Sequence, residues 1–413
     1  MTGCGQDRAR DLAEQVARAS RGKLVAFLAA RSGDLAAAED ALSEAFASAL
    51  ATWPQTGCPE NPEAWLLTAA RRKLIDHFRA TRETPSSDDL EQLAGAVAEA
   101  ADDPLPDRRL ALLFACTHPA IDAAVRAPLM LQVVLGLEAA QIASAFLTSP
   151  AAMAQRLVRA KAKIRDAGIP FTIPDRSEMP QRVQAVLDSI YACFSEGWSD
   201  PAGADSTRRE LAAEAIFLGR LLTELLPDEP EARGLLALML YSEARRRARR
   251  TPEGAFVPLA QQDRTLWDAS MIEEAEAALL SARRAGRIGR YQLEAAIQSA
   301  HVEGARTGSV PWPAILTFYN ALVELTASPV ASINRALALA EVESPTTALT
   351  ALDAVSRDPR VQTYQPYWAV RAHLLARTGD YAAARHAYQL AIGLERDPAL
   401  REYLTRRSNE LGK

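Results

Sequence analysis

The sequence predicts an all-α fold, and three observations predict it. Aromatic residues make up only 6% of the 413 residues, and alanine and leucine dominate while valine, isoleucine and threonine form few runs. That balance is the reverse of what strands favour. Apolar residues recur at three-to-four spacing in segment after segment, the period of an amphipathic helix. The third observation is an ordered string near the end, Trp368, Ala372, Leu375, Gly379-Asp380-Tyr381, Ala384, Tyr388, Ala391 and Pro398, which matches the 34-residue tetratricopeptide pattern of paired helices. The length predicts two to three domains, and 48% hydrophobic with 24% charged residues is ordinary for a chain that builds a core.

The first segment, residues 1–83, reads as helices. Leu24, Phe27 and Leu28 share one face, as do Ala38, Leu42, Ala45, Phe46 and Ala49. Trp53-Pro54 predicts the end of the second helix, since proline removes a backbone donor. Asn61-Pro62-Glu63 predicts a helix start: Asn61 caps free amides, Pro62 at the first position loses no bond, and Glu63 suits the positive end of the dipole. That helix runs through Trp65, Leu66, Ala70, Leu74 and Phe78 to about Arg79. Residues 84–106, rich in Pro, Ser and Asp, read as an acidic linker.

A second unit, 107–175, carries helices to Ala115, from Ala127 to Leu135 and from Glu138 to Phe146. A Leu147-Thr148-Ser149-Pro150 turn then opens a last helix reaching about Arg165, ended by Gly168-Ile169-Pro170. Two helices joined by a tight turn form the helix-turn-helix pattern, whose second helix fits a DNA major groove. The remainder, 176–413, is predicted helical throughout. A weaker copy of the repeat spans Ala331 to Pro359, and in the better copy Ala372, Ala384 and Ala391 let paired helices approach while Tyr381 and Tyr388 fill the gap between them. The expectation is a helical solenoid offering a concave surface.

A formal net charge of -5 argues against indiscriminate coating of nucleic acid, but charge is local. Arg71-Arg72-Lys73, Arg79 and Arg82 lie on or just past the helix begun at Pro62, and Arg156, Arg159, Lys161, Lys163 and Arg165 line the last helix of the second unit without one acid among them. Either stretch alone can be a solvated helix face. With one on a helix-turn-helix and the other behind a Trp-bearing helix, they look like two DNA contacts joined by a linker.

Cys4, Cys58, Cys116 and Cys193 form no C-x-x-C pair, so neither a disulfide framework nor a Cys-only zinc site is expected, and a reducing cytoplasm fits. The polar start and the lack of a run of roughly 20 apolar residues argue against an export signal or a membrane span. Cys116-Thr117-His118 is the one close Cys/His pair, and no glycine-rich phosphate loop or G-x-S-x-G is present. The chain is therefore expected to be no enzyme and to hold no metal or cofactor.

Five strings carry a family resemblance. Ala38-Glu39-Asp40-Ala41-Leu42-Ser43-Glu44-Ala45-Phe46, followed by Asn61-Pro62-Glu63-Ala64-Trp65-Leu66-Leu67-Thr68-Ala69-Ala70-Arg71, resembles region 2 of an extracytoplasmic-function (ECF) sigma factor of bacterial RNA polymerase. Met153-Ala154-Gln155-Arg156-Leu157-Val158-Arg159-Ala160-Lys161 resembles its region 4. The extension, with Gln261-Gln262-Asp263-Arg264 and Gly289-Arg290-Tyr291-Gln292-Leu293, is similar to the subgroup in which tetratricopeptide-like repeats follow the sigma core.

The resemblance implies a promoter reader whose partners are core RNA polymerase, through its β′ clamp helices and β flap, and promoter DNA. It implies polymerase contacts at Glu39, Asp40, Ser43 and Glu44, and contacts to the melted −10 strand at Ala69, Arg71, Arg72, Lys73, Asp76 and Arg79. Cationic neighbours hold an unpaired strand by its backbone. The chain departs from the family at Arg72, where asparagine is common, because arginine reads guanine or holds phosphate. In region 4 the implied −35 contacts are Ser149, Ala154, Gln155, Arg156, Arg159, Lys161 and Lys163. Gln155 and Arg156 suit base edges, while Arg159, Lys161 and Lys163 suit phosphate. Ala154 stands where a long basic side chain is frequent, and Trp65, spaced with Leu66 and Ala69, reads as core. A helix-turn-helix transcription factor with a solenoid sensor is the alternative, but it has no use for the Asp40/Glu44 helix.

Overall fold

The computed structural model describes residues 3–81, 107–146, 148–198 and 206–411, and the acidic linker, Arg82 and Leu147 lie outside them. The described residues are helical, with one isolated bridge between Arg250 and Phe256 in place of any strand. They form two compact units, residues 1–196 and 197–413.

The first unit holds α1 (Gly3–Ser32), α2 (Leu35–Thr56), α3 (Pro62–Thr81), α4 (Arg109–Cys116), α5 (Ala123–Leu135), α6 (Ala139–Ala145), α7 (Pro150–Asp166) and, but for its last two residues, α8 (Met179–Trp198). Its core is the predicted apolar stripe: Leu24, Leu28, Leu42, Ala45, Leu66 and Leu74 are fully buried. Asn61 accepts the Ala64 amide at 3.0 Å and so opens α3 as a cap should. Two predicted boundaries move. Pro54 sits inside α2, which ends only at Thr56, so its missing donor falls in the last turn of the helix. Asp122 accepts the Ala124 amide and starts α5 four residues before Ala127, with Pro128 inside the helix.

Helix α1 packs on α2, α3, α4 and α5. Where it crosses α5, a Cβ on Gly22 would stand 2.8 Å from the Val134 carbonyl oxygen, so only glycine permits that approach. Every residue of α4 from Leu110 to Cys116 is buried. The sequence reading placed residues 176–196 with the extension, but α8 belongs to the first unit. Arg182 donates from Nη2 to the Phe114 carbonyl at 2.6 Å, and the Cys193 thiol lies 3.9 Å from the Ala127 carbonyl.

The second unit contains α9 (Ser206–Leu225), α10 (Pro230–Ala244), α11 (Ala269–Arg283), α12 (Arg290–Thr307), α13 (Trp312–Thr326), α14 (Pro329–Val342), α15 (Pro345–Val355), α16 (Pro359–Gln362), α17 (Gln365–Arg377), α18 (Tyr381–Leu394) and α19 (Pro398–Asn409). Helix α10 is its spine: Leu235, Met239, Leu240 and Tyr241 are fully buried, and both α11 and α12 pack on it. Glu231 of α10 reaches the start of α12, accepting the Tyr291 amide at 2.9 Å, the Gln292 amide at 3.1 Å and the Gln292 side-chain amide at 3.2 Å. A Cβ on Gly289 would come within 2.2 Å of that carboxyl carbon. The Gly289-Arg290-Tyr291-Gln292 string is thus a joint between helices.

The arginine run 245–250 is spent internally as well. Arg245 donates to the Tyr241 carbonyl, Arg246 and Arg249 stack on Trp198, and Arg250 pairs with Asp397 at 2.5 Å. In the last helix pair Ala372, Ala384 and Ala391 are fully buried and Tyr388 nearly so, as the spacing predicts. Tyr381 corrects the expectation. Asp380 caps α18 by accepting the Ala383 amide at 3.0 Å, which leaves Tyr381 at the first helical position and 44% exposed rather than between the helices.

His301 of α12 packs edge-on against Trp312 with ring centroids 5.6 Å apart. Burial, helped by the Arg245 charge, lowers its pKa from 6.5 to about 4. As pH falls from 6.5 to 4 the unfolded chain binds a proton that the folded chain refuses, so stability drops through that window. His301→Leu should remove this component. Urea unfolding at pH 7 and pH 4.5 should show a loss about 2 kcal/mol smaller in the variant than in the wild type.

Candidate nucleic-acid interface

Helix α2 begins at Asp34, whose carboxylate accepts the Ala36 and Ala37 amides at 2.9 and 3.1 Å. Asp40, Ser43 and Glu44 follow on its exposed side. Glu39, one residue back and about 100° around the helix, points inward. It is 5% exposed, 2.6 Å from Lys161 Nζ and 3.7 Å from Arg21 Nη2. Arg165 adds a second link across the same seam, 3.7 Å from Asp34. Two of the expected contact residues therefore meet each other: Glu39 and Lys161 pair between α2 and α7 in this arrangement. Nothing in the sequence signalled Arg21 or Lys161 as partners of Glu39, since ion pairing between distant segments leaves no local pattern.

Helix α3 carries Arg72, Asp76 and Arg79 as an exposed stripe, with Arg79 4.0 Å from Asp76. Ala69 is half-buried at its head. Lys73 is exposed but reaches Glu44 at 3.1 Å, joining the outer faces of α2 and α3. An exposed pair of this kind contributes little to stability, about 0–1 kcal/mol, and parts readily. Arg71 turns partly inward: its Nε is buried without a hydrogen-bond partner, and burial lowers the guanidinium pKa. Trp65 is half-buried and meets the buried Trp53 edge-on at 5.5 Å, forming a wall under the stripe and not a stacking platform.

Helix α7 separates its faces cleanly. Met153, Leu157, Ala160 and Ile164 are buried, while Gln155, Arg156, Arg159 and Lys163 are exposed. Ser149 spends its hydroxyl as the cap, accepting the Ala152 amide at 3.2 Å, and Ala154 is half-buried. Val158, 65% exposed in the middle of the polar face, was not singled out by the sequence reading, although an apolar side chain amid five cations was a visible signal. Arg156, Arg159 and Lys163 also border a cleft of about 470 Å³ shared with Ala120 to Val125 at the start of α5. Three cations around one opening suit phosphate.

Cys116, the member of the Cys/His pair that suggests a nucleophile, is fully buried, and burial pushes its thiol pKa up. His118 uses Nδ1 to accept the Ala120 amide at 3.2 Å, and burial lowers its pKa.

Residues 16–84, covering most of α1 with α2 and α3, match the family model described as Sigma-70 region 2. Residues 182–283, from α8 to the end of α11, match a family of unknown function, DUF6596. A protein of Rhizobium meliloti (strain 1021) named Uncharacterized protein R00370 is 41% identical over 374 residues, which is 89% of this chain and 88% of that one. No solved structure matches. No helix among the described residues is long and apolar enough to cross a membrane. The matched α1–α3 region carries the exposed acids of α2 beside the cationic stripe of α3, and the match supports a sigma-70-family factor with a sigma-factor-like role in transcription initiation, a family that implies core RNA polymerase and promoter DNA as partners.

Proposed function

We propose that this chain is an ECF-type sigma factor of the bacterial cytoplasm, a non-catalytic protein that directs core polymerase to specific promoters. Its α4–α8 region acts as region 4, and its extension is a fused tetratricopeptide-like regulatory module. The observation that carries the reading is the joint exposure of Asp40, Ser43 and Glu44 on α2 next to Arg72, Lys73 and Arg79 on α3. A polymerase-docking face beside a single-strand-holding face is what promoter melting requires, and a factor that binds only duplex DNA has no use for it. The extension is tethered, so even weak affinity for the core of the protein suffices at the millimolar effective concentrations that tethering provides.

Reconstituted run-off transcription with core polymerase tests the reading. Asp40 and Glu44 lie one turn apart on one face, and changing both to lysine should abolish holoenzyme assembly on gel filtration while helicity stays nearly unchanged. Unimpaired assembly would put the docking face elsewhere. A chain ended after residue 196 should transcribe less from the same promoter, and equal activity would remove the regulatory role of the extension.

On α7 we assign base reading to Gln155 and Arg156, apolar contact with a thymine methyl to Val158 or Ala154, and phosphate contact to Arg159 and Lys163. Arg156→Ala should weaken binding by about 1–3 kcal/mol and relax preference at one −35 base pair. Lys163→Ala should weaken all sequences alike and lower the salt slope by roughly one unit. Equal, sequence-blind losses from both variants would refute the division.

The ion pair between Glu39 and Lys161 must part for both DNA contacts to form. Elements about 25 positions apart span roughly 85 Å of duplex at 3.4 Å per base pair, whereas α3 packs on α2 and α2 touches α7. We assign Glu39, once released, to the polymerase face and Lys161 to phosphate. Glu39→Gln leaves Lys161 beside Arg21 without its acid and should destabilise the first unit by on the order of 3 kcal/mol. Adding Lys161→Met should restore part of that loss, because an apolar replacement removes the stranded charge. Thermal melts of the full-length single and double variants measure both effects, and additive losses would mean the pair is not coupled.

A further inference from the structure

Helices α11 and α12 both pack on α10 yet touch each other little, and the space they leave is a cleft of about 770 Å³ within the second unit. Its walls are apolar, formed chiefly by Leu279, Leu280, Ile288, Leu293 and Phe318. At the mouth Leu280 is 53% and Ile288 74% exposed, so the chain leaves this apolar surface uncovered. Tyr241 and Ser299 supply hydroxyls among the lining residues. The Tyr241 hydroxyl is buried beside Ser299. Three charged residues line the cleft: Glu276, which pairs with Arg306 outside the lining at 2.7 Å, and Arg283 and Glu303, which are opposite in sign.

These features select among occupants. A volume of this size falls in the range of about 300–1,000 Å³ that holds small molecules. With Glu276 already paired and Arg283 and Glu303 opposite in sign, the lining holds no cluster of one charge to select an ion, and an apolar wall near hydroxyls favours a mostly apolar body bearing one polar group. We propose that the cleft between α11 and α12 is a binding site for an uncharged, largely apolar small molecule carrying one hydrogen-bonding group. Bound there, it bridges two helices that otherwise have little hold on each other, so the extension senses a ligand through the geometry of α11 against α12.

The probe is N-phenyl-1-naphthylamine, an uncharged aromatic amine whose fluorescence rises in apolar surroundings, titrated into the full chain. One saturable site and a rise in melting temperature with probe concentration are expected. Ala296→Trp, which fills the cleft from α12, should abolish the saturable signal. Leu280→Asp, at the exposed mouth, should weaken binding at least tenfold with circular dichroism and the probe-free melting temperature unchanged. If the filled variant does not fold, the exposed Leu280→Asp variant decides alone. A linear, unsaturable signal from the wild type, or wild-type binding by Leu280→Asp, would overturn the proposal.

Discussion

When α7 lies against α2, Glu39 and Lys161 lose most of their water, and the arrangement of the first unit depends on their finding each other. Removing a charge from water costs several kcal/mol, and that cost is offset only if a partner stands at contact distance. Lys161 does so at 2.6 Å and Arg21 adds a second cation at 3.7 Å. The pair is conditional: together the two charges are tolerated, while either one alone opposes the packing. The same contact sets what each helix presents outward. With Glu39 turned in, Asp40 and Glu44, about 100° and 140° around the helix, face out. With Lys161 turned in, Gln155, Arg156, Arg159 and Lys163 must do so as well.

Around this ionic seam the unit is held by ordinary apolar burial. Gly22 lets α1 come down on the backbone of α5, α4 is enclosed on every side, and α8 braces α4 through Arg182. Backbone approach and buried area are indifferent to charge, so they fix which helices touch. The ion pair adds the rotational setting. An arrangement whose specificity lies in one coupled pair can be released by whatever competes for either partner, and both nucleic acid and an acidic or basic protein surface carry suitable charge.

An acidic chain with a net charge of -5 still presents basic surfaces because its cations are divided by use. Arg245, Arg246, Arg249 and Arg250 serve as internal struts of the second unit, and Lys161 is consumed in the seam. Arg72 on α3 and Arg156, Arg159 and Lys163 on α7 remain exposed. The local field, not the total charge, meets a phosphate backbone. The densest arginine run in the sequence is therefore largely spent inside, and the more modest stretches stay exposed.

The helical fold, the cap at Asn61, and the apolar faces of α2, α3 and α7 were legible in the sequence, because periodicity and capping are set by neighbours a few residues away. The outward acids of α2 and the polar face of α7 were legible for the same reason. Glu39 and Asp40 look alike along the chain, and only the packing of α7 decides which is buried. Likewise, only tertiary contacts assign α8 to the first unit, turn Tyr381 outward and leave a cleft between α11 and α12. Sequence by itself determined what each helix is and which of its sides is apolar. The tertiary structure alone decided which charges meet, since a residue's partner 122 positions away, as Lys161 is from Glu39, is chosen by the docking of whole helices and leaves no local trace.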